Sequence, residues 1–312
     1  MVESKHRWKA WIYLSPAIVL LLIFTVWPII NTVRIAFLEN YNAMTAVSGM
    51  KFTVGFENFV KVVGPGSDFL NCLKNTMLLC FLTVPISTIL ALLIAVCLNS
   101  IKPLQRLLQT IFFMPYVTNS IAIGMVFAAM FNMVKYGNHI ETAGIINNVL
   151  GLFGVDPIIW INGGSSYWAN IAVMVVYIVW NALPFKILIL LGGLQSINKQ
   201  YYDAAKVDGT SRVRVFTKIT VPLLSPMLAY VIITGFIGGF KEYSSIVGIF
   251  GEDMGPSGAP YRLNTMGGFI YRSIEGAMPL YGRASAAALI LFGIIFIVTM
   301  INLYVSKKKT HY

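Results

Sequence analysis

Asp203-Ala-Ala-Lys-Val-Asp-Gly-Thr-Ser-Arg-Val-Arg-Val-Phe-Thr-Lys-Ile-Thr-Val-Pro222 is polar, basic and helix-prone, yet long apolar segments lie on both sides of it. Asn198 is an N-cap residue type, so the sequence predicts a short helix over Lys199–Val207, ended by a left-handed turn at Gly209. Thr210 or Ser211 can cap a second helix, with Val213, Phe216 and Thr220 recurring on one face. Pro222 suits the first turn of the apolar helix that follows. The pattern is a helix–turn–helix lying on a membrane surface. Ala204 and Ala205 are small enough there for another protein to approach closely.

Working outward, the composition defines the solvent. Of 312 residues, 57% are hydrophobic and only 11% charged, far from an average soluble domain. A membrane span takes about 20 apolar residues. Six such spans fit at about 11–37, 74–98, 107–133, 167–192, 221–240 and 284–305, giving an all-α integral membrane protein with one transmembrane domain over 11–305. The polar loop 198–222 falls between spans four and five, and 306–312 forms a basic tail. The first apolar segment is too long for a signal-peptide core and has no small-residue cleavage site, so it reads as an uncleaved span. Trp27-Pro28 is expected to bend its outer half, and Pro184 to interrupt the fourth span. The segment 134–166 is too polar to cross. Cys72, Cys80 and Cys97 have no metal-ligand spacing and read as small hydrophobes.

Six spans put both termini on one side, and charge decides which. Segments 1–10, 99–106, 194–220 and 306–312 carry 13 Lys and Arg in 52 residues. Segments 38–72, 134–166 and 241–283 carry 7 in 111 residues, alongside 9 acids. Lys and Arg mark the cytoplasmic side, so residues 1–10, both termini and the 198–222 loop are expected in the cytoplasm. The net charge of +11 is thus a topology signal, with no nucleic-acid partner implied.

The absences restrict the chemistry. There is no Gly-x-x-x-x-Gly-Lys-Ser/Thr phosphate loop and no His-Glu-x-x-His helix. His6, His139 and His311 are scattered outside the spans, and no Asp or Glu lies within any span, as proton relays require. No enzyme, metal or cofactor is indicated. Polar groups at membrane depth are the candidates for a solute path. They are Tyr116, Asn119 and Ser120 on the third span, and Tyr177, Trp180 and Asn181 on the fourth. Amides beside aromatic faces suit a neutral, hydroxyl-rich solute; helix packing uses the same residue types. Lys186, about 10 Å from the inner end of its span, either lines the path or snorkels to the headgroups. Lys241-Glu242 reads as an interfacial ion pair or an outer gate contact. A secondary transporter or channel subunit is the alternative class. Neither the inverted repeats of carriers nor the carboxylate ring or filter loop of channels is visible.

The order acidic-Ala-Ala, three residues, Gly, nine residues, Ile, one residue, apolar-Pro resembles the cytoplasmic loop of ATP-binding-cassette importer permeases. It is met here by Asp203, Ala204, Ala205, Gly209, Ile219 and Pro222. Asp203 stands where Glu is usual, and Val221 where Leu is. Ser15-Pro-Ala17, Phe56-Glu-Asn-Phe59, Phe112-Phe-Met-Pro115 and Leu190-Leu-Gly-Gly-Leu-Gln195 are similar to the carbohydrate-uptake branch, which carries maltose, other oligosaccharides or glycerol-3-phosphate. Within that branch, the amino-terminal half is like the first permease of a heteromeric pair. The resemblance implies a multi-pass protein of a bacterial or archaeal cytoplasmic membrane. It also implies a second homologous permease, an ATPase dimer that docks on the loop and alone hydrolyses ATP, and an extracellular or periplasmic solute-binding protein.

The topology is testable by labelling. In a background lacking the three cysteines, single cysteines at Thr210 and Thr310 should resist an impermeant thiol reagent on intact cells. Cysteines at Asn138 and Ser257 should react. Labelling of Thr210 from outside would reverse the assigned orientation.

Overall fold

A computed structural model describes residues 7–48, 52–101, 105–136, 139–275 and 278–309. His6, Lys102, Asn138, Thr310 and His311 lie outside the described residues. The chain divides into two compact units, Met1–Phe69 with Phe269–Phe292, and Leu70–Gly268 with Gly293–Tyr312.

In the first unit, α1 (Arg7–Leu21) passes through one π turn, Leu22–Val26, into α2 (Trp27–Ala36). Pro28 has no N–H for the helical ladder, and the wider turn just ahead of it keeps Trp8–Ala36 a single apolar helix. None of its most apolar window is buried, and Trp11, Tyr13, Phe24 and Trp27 stand exposed. The polar segment beyond it is ordered by local chemistry. A reciprocal capping box between Asn42 and Thr45 opens α3 (Ala43–Val47). In α4 (Glu57–Val63), buried Asn58 donates to the carbonyls of Ala36 and Leu38 at 3.0 and 2.8 Å, closing the end of α2. Phe56 and Phe59 pack on Phe37 with centroids 5.4 and 5.1 Å away. The Phe56-Glu-Asn-Phe59 motif is therefore a clamp on the emerging chain.

The second unit is built on α5 (Phe69–Ser100), α6 (Gln105–Val117), α7 (Ser120–Phe131) and α9 (Tyr167–Ser196). Between α7 and α9 lie the antiparallel strands β1 (Met133–Tyr136) and β2 (His139–Ala143), then α8 (Ile145–Gly151). Among the described residues this hairpin and an isolated bridge between Leu38 and Val54 depart from an all-helical description. After α9 come α10 (Lys199–Val207), α11 (Arg212–Val215), a π turn at Phe216–Thr220, α12 (Val221–Leu223) and α13 (Ser225–Phe240). α14 (Ser244–Phe250) follows, and α15 (Met266–Ile274) and α16 (Tyr281–Lys309) complete the order of the chain, with Phe269–Phe292 belonging to the first unit.

Among the described residues four helices are long and apolar enough to cross a membrane: Trp8–Ala36, Phe69–Ser100, Tyr167–Ser196 and Tyr281–Lys307. The expected third and fifth spans are broken instead. Leu107–Val117 meets Ser120–Phe131 at 98°, and Arg212–Leu223 meets Ser225–Phe240 at 68°. Pro115 is not the break. The helix continues to Val117, and Asn119 starts a new one by accepting from the N–H groups of Ile121 and Ala122. Pro184 does not interrupt the fourth span either: α9 runs unbroken from Tyr167 to Ser196. The apolar helix α13 begins at Ser225 with Pro226 in its first turn, three residues later than Pro222 suggests.

Two apolar clusters hold the second unit together. One gathers Leu79, Phe131, Met174, Tyr177, Ile246 and Leu263; the other gathers Ala91, Ala95, Leu190, Leu194, Leu224 and Val231. Where α7 crosses α14, Gly124 and Gly248 let the backbones touch: a Cβ on Gly124 would lie 2.6 Å from the Gly248 Cα. Asn75 donates to the carbonyls of Arg262 and Asn264 and accepts from the Tyr167 hydroxyl, so its own amide is satisfied and joins α5, α9 and the loop before α15.

Candidate functional site

The loop after α9 has the local structure its residues dictate. The Asn198 side chain accepts from the Gln200 N–H at 2.9 Å and starts α10 with the expected bounds. At the other end Gly209, at φ +62°, closes a Schellman motif. Its N–H reaches the Lys206 carbonyl at 3.1 Å, while the Thr210 N–H reaches that of Ala205 at 3.0 Å. Asp203 and Ala204 are exposed, with Lys206 3.5 Å from the Asp203 carboxylate. Ala205 is instead buried, so bulk added there would strain the loop itself. Tyr202 and Thr220 hydroxyls, 3.3 Å apart, tie α10 to the second π turn. That turn precedes Pro222 as the first precedes Pro28, and it rotates the expected face. Val213 is exposed, Phe216 half-buried and Thr220 buried. Val207 and Val213 stand 88% and 74% exposed on an otherwise charged loop. Ile219 lines a hollow of about 390 Å³ with Ala204, Ala205 and Asp208, and Pro222 lies exposed at the bend.

A second feature lies at the depth of the apolar helices. A cavity of about 280 Å³ is lined by Thr83 and Ser87 of α5, Tyr116 of α6, Asn181, Phe185 and Lys186 of α9, and Gly235 of α13. Glu242, just beyond α13, completes the wall. Tyr116 and Phe185 are stacked, with centroids 5.6 Å apart and planes 19° from parallel. Lys186 is only 4% exposed and does not snorkel. Its ammonium donates to Ser87 Oγ at 2.7 Å, Thr88 Oγ1 at 3.0 Å and the Val84 carbonyl at 3.2 Å, which uses all three N–H groups. Lys241 and Glu242 form no ion pair; the Glu242 carboxylate accepts from the Ser245 N–H at 3.1 Å and caps α14.

Of the expected path residues, the structure brings Tyr116 and Asn181 to this cavity, with Ser120 beside it through an Asn181–Ser120 side-chain contact of 3.4 Å. The others have packing duties. Tyr177 is fully buried and donates to the Ser120 carbonyl, Trp180 packs on Phe127 at 5.2 Å, and Asn119 is the cap of α7. Thr83, Ser87, Phe185 and Glu242 are site residues that the sequence reading missed. One signal was present: Thr76, Thr83 and Ser87 recur at helical spacing along one face of an otherwise apolar span.

Comparison with known proteins agrees with this architecture. Residues 83–311 match the family of binding-protein-dependent transport system inner membrane components. The chain belongs to that family and is a multi-pass membrane permease. It is 25% identical over 304 residues to the lactose transport system permease protein LacF of Rhizobium radiobacter, covering 96% of this chain and 95% of that one. It is 28% identical to the trehalose/maltose transport system permease protein MalF of Thermococcus litoralis, covering 99% and 98%. In fold it is like a chain in the crystal structure of a bacterial ABC transporter that imports alginate, with TM-score 0.77, 22% identity and 98% of each chain covered. A permease is a transport subunit and not a catalytic one.

The bonds of Lys186 predict an unusual order of stabilities. Ser87 and Thr88 also donate to carbonyls in their own helix, so Lys186→Met strands no donor. It should change stability by less than about 2 kcal/mol, against the 3–5 that an orphaned buried charge costs. Ser87→Val leaves the ammonium one acceptor short and should lower the thermal midpoint more than Lys186→Met does. The double variant should recover most of that loss, a coupling read from a double-mutant cycle. Additive losses would contradict the assigned geometry.

Proposed function

We propose that this chain forms half of the translocation path of an ATP-driven importer for a sugar or oligosaccharide. The observation that carries the reading is the Schellman-closed loop, which presents Asp203 and Ala204 with the bare apolar side chains of Val207 and Val213. Exposed valines on a basic loop are a poor surface to leave in water and a good one to seat in another protein. The six positions from Asp203 to Pro222 are the proposed contact with a separate ATP-binding-cassette ATPase dimer. Counting each bent pair as one span gives six, with both termini and this loop in the cytoplasm, as the positive charges indicate. Residues 1–10 and 306–312 then flank one transmembrane domain over 11–305.

The unburied Trp8–Ala36 helix supports a second, homologous permease as partner, since lipid and a facing helix are its available neighbours. The family description supports an extracytoplasmic solute-binding protein. Sugar as solute rests on the relatives' names and on the cavity. Stacked Tyr116 and Phe185 offer a flat apolar face, and Asn181, Thr83 and Ser87 can replace water around hydroxyl groups. The ATPase would close on ATP, move the loop and turn the path from inward- to outward-facing.

Two loop variants test the coupling. Gly209→Val forces a β-branched residue to φ +62°, costing on the order of 1–2 kcal/mol or distorting the turn. Ala204→Trp puts bulk on the exposed face without touching the turn. Both permeases should reach the membrane in near-normal amounts yet fail to transport, with the ATPase lost or no longer responsive to loaded binding protein. Wild-type transport and full ATPase stimulation in both would remove the loop from the coupling path.

A further inference from the structure

Arg283, at the start of α16, carries a permanent positive charge that meets no counter-ion among the described residues. Its Nη2 donates to the Ser67 hydroxyl at 3.2 Å, and its guanidinium lies 5.0 Å from the centroid of the Phe269 ring. Its Nε is sealed from solvent with no acceptor. Among the described residues no carboxylate comes within 4.0 Å of it. Burying part of a charge this way costs free energy unless a partner arrives.

The guanidinium opens on a cavity of about 560 Å³ in the first unit. Most polar groups around that cavity are already committed. Asn42 caps α3, Asn58 holds the carbonyls of Ala36 and Leu38, and Lys61 pairs with Glu57 at 2.7 Å. Beside the Asn40 amide and the Tyr41 hydroxyl, what remains is one guanidinium edge among the walls of Val60, Pro65 and Leu280. A sugar needs many donors and acceptors around its hydroxyl groups and finds few here. A protein loop with one carboxylate and an apolar neighbour fits, because arginine binds a carboxylate through a planar fork. Residues 38–72 and 241–283 are also the segments that the charge pattern puts outside the membrane.

We propose that this cavity is a docking socket in which Arg283 receives an Asp or Glu side chain of the solute-binding protein. The inference rests on the importer reading above, and the experiment separates the two. The complete transporter, with its own solute-binding protein, is reconstituted in nanodiscs. ATPase stimulation is then titrated with loaded binding protein. Arg283→Gln should raise the half-saturating concentration at least tenfold while the plateau rate is kept, and Arg283→Lys should recover part of the loss. Val60→Glu, an exposed position on the cavity wall, supplies an internal carboxylate and should raise the half-saturating concentration similarly. It decides the matter if Arg283→Gln does not assemble. Half-saturation within twofold of wild type in the assembled variants would overturn the socket. So would unchanged docking with an altered range of solutes, which would make the cavity a solute site. If no binding protein stimulates the wild-type complex, the importer reading fails first.

Discussion

The three hydrogen bonds that hold the Lys186 ammonium are the interaction around which the membrane part of the second unit is arranged. A charge cannot be left unpaired in hydrocarbon, so α9 must keep Lys186 beside the stretch of α5 that supplies Val84, Ser87 and Thr88. That register places Tyr116 against Phe185 and lets α13 approach through Gly235, where a Cβ would lie 3.3 Å from the lysine Nζ. The cavity between these helices follows from the same contact. Polar atoms of α5 and α9 meet there because the ammonium requires acceptors, and α13 has no bulk with which to fill the space.

The same demand for satisfied backbone shapes the breaks. Asn119 supplies the cap that allows α6 and α7 to meet at a steep angle, and each π turn accommodates a proline two residues further on. The bend before Ser225 then lets α11 and α12 leave the line of α13 and continue the loop that begins at Asn198. Tyr202 and Thr220 close that loop on itself. In the proposed mechanism a push on α10 reaches α13 through this closed turn, with no flexible linker between them.

The loop proposed to couple to the ATPase is legible in sequence because its determinants act within a few residues. Asn198 and Gly209 give α10 its bounds without help from the rest of the chain. The long apolar helices and the family are legible for a similar reason. Bends and cavity are less so. Pro184 draws attention as a breaker, yet α9 runs through it, and the break falls at Thr118–Asn119 where a cap competes with helix continuation. The depth of Lys186 alone leaves lining the path and snorkelling both open, since its acceptors lie 98 to 102 residues away in the chain. Tyr177 and Asn119 carry residue types suited to a path and are recruited for packing and capping. For Tyr177 a contact between helices separates those uses, and for Asn119 the local choice between capping and helix continuation does.

The central claim is that solute movement through this chain is driven by a partner ATPase through the Asp203–Pro222 loop. Its most direct measurement is uptake into proteoliposomes that contain the complete transporter, with binding protein and its solute outside. ATP is enclosed inside, and ion gradients are imposed or collapsed independently. The account predicts uptake that requires hydrolysable ATP, stops when the ATPase is blocked and ignores the ion gradients. Uptake that continues on an ion gradient with the ATPase blocked would contradict it.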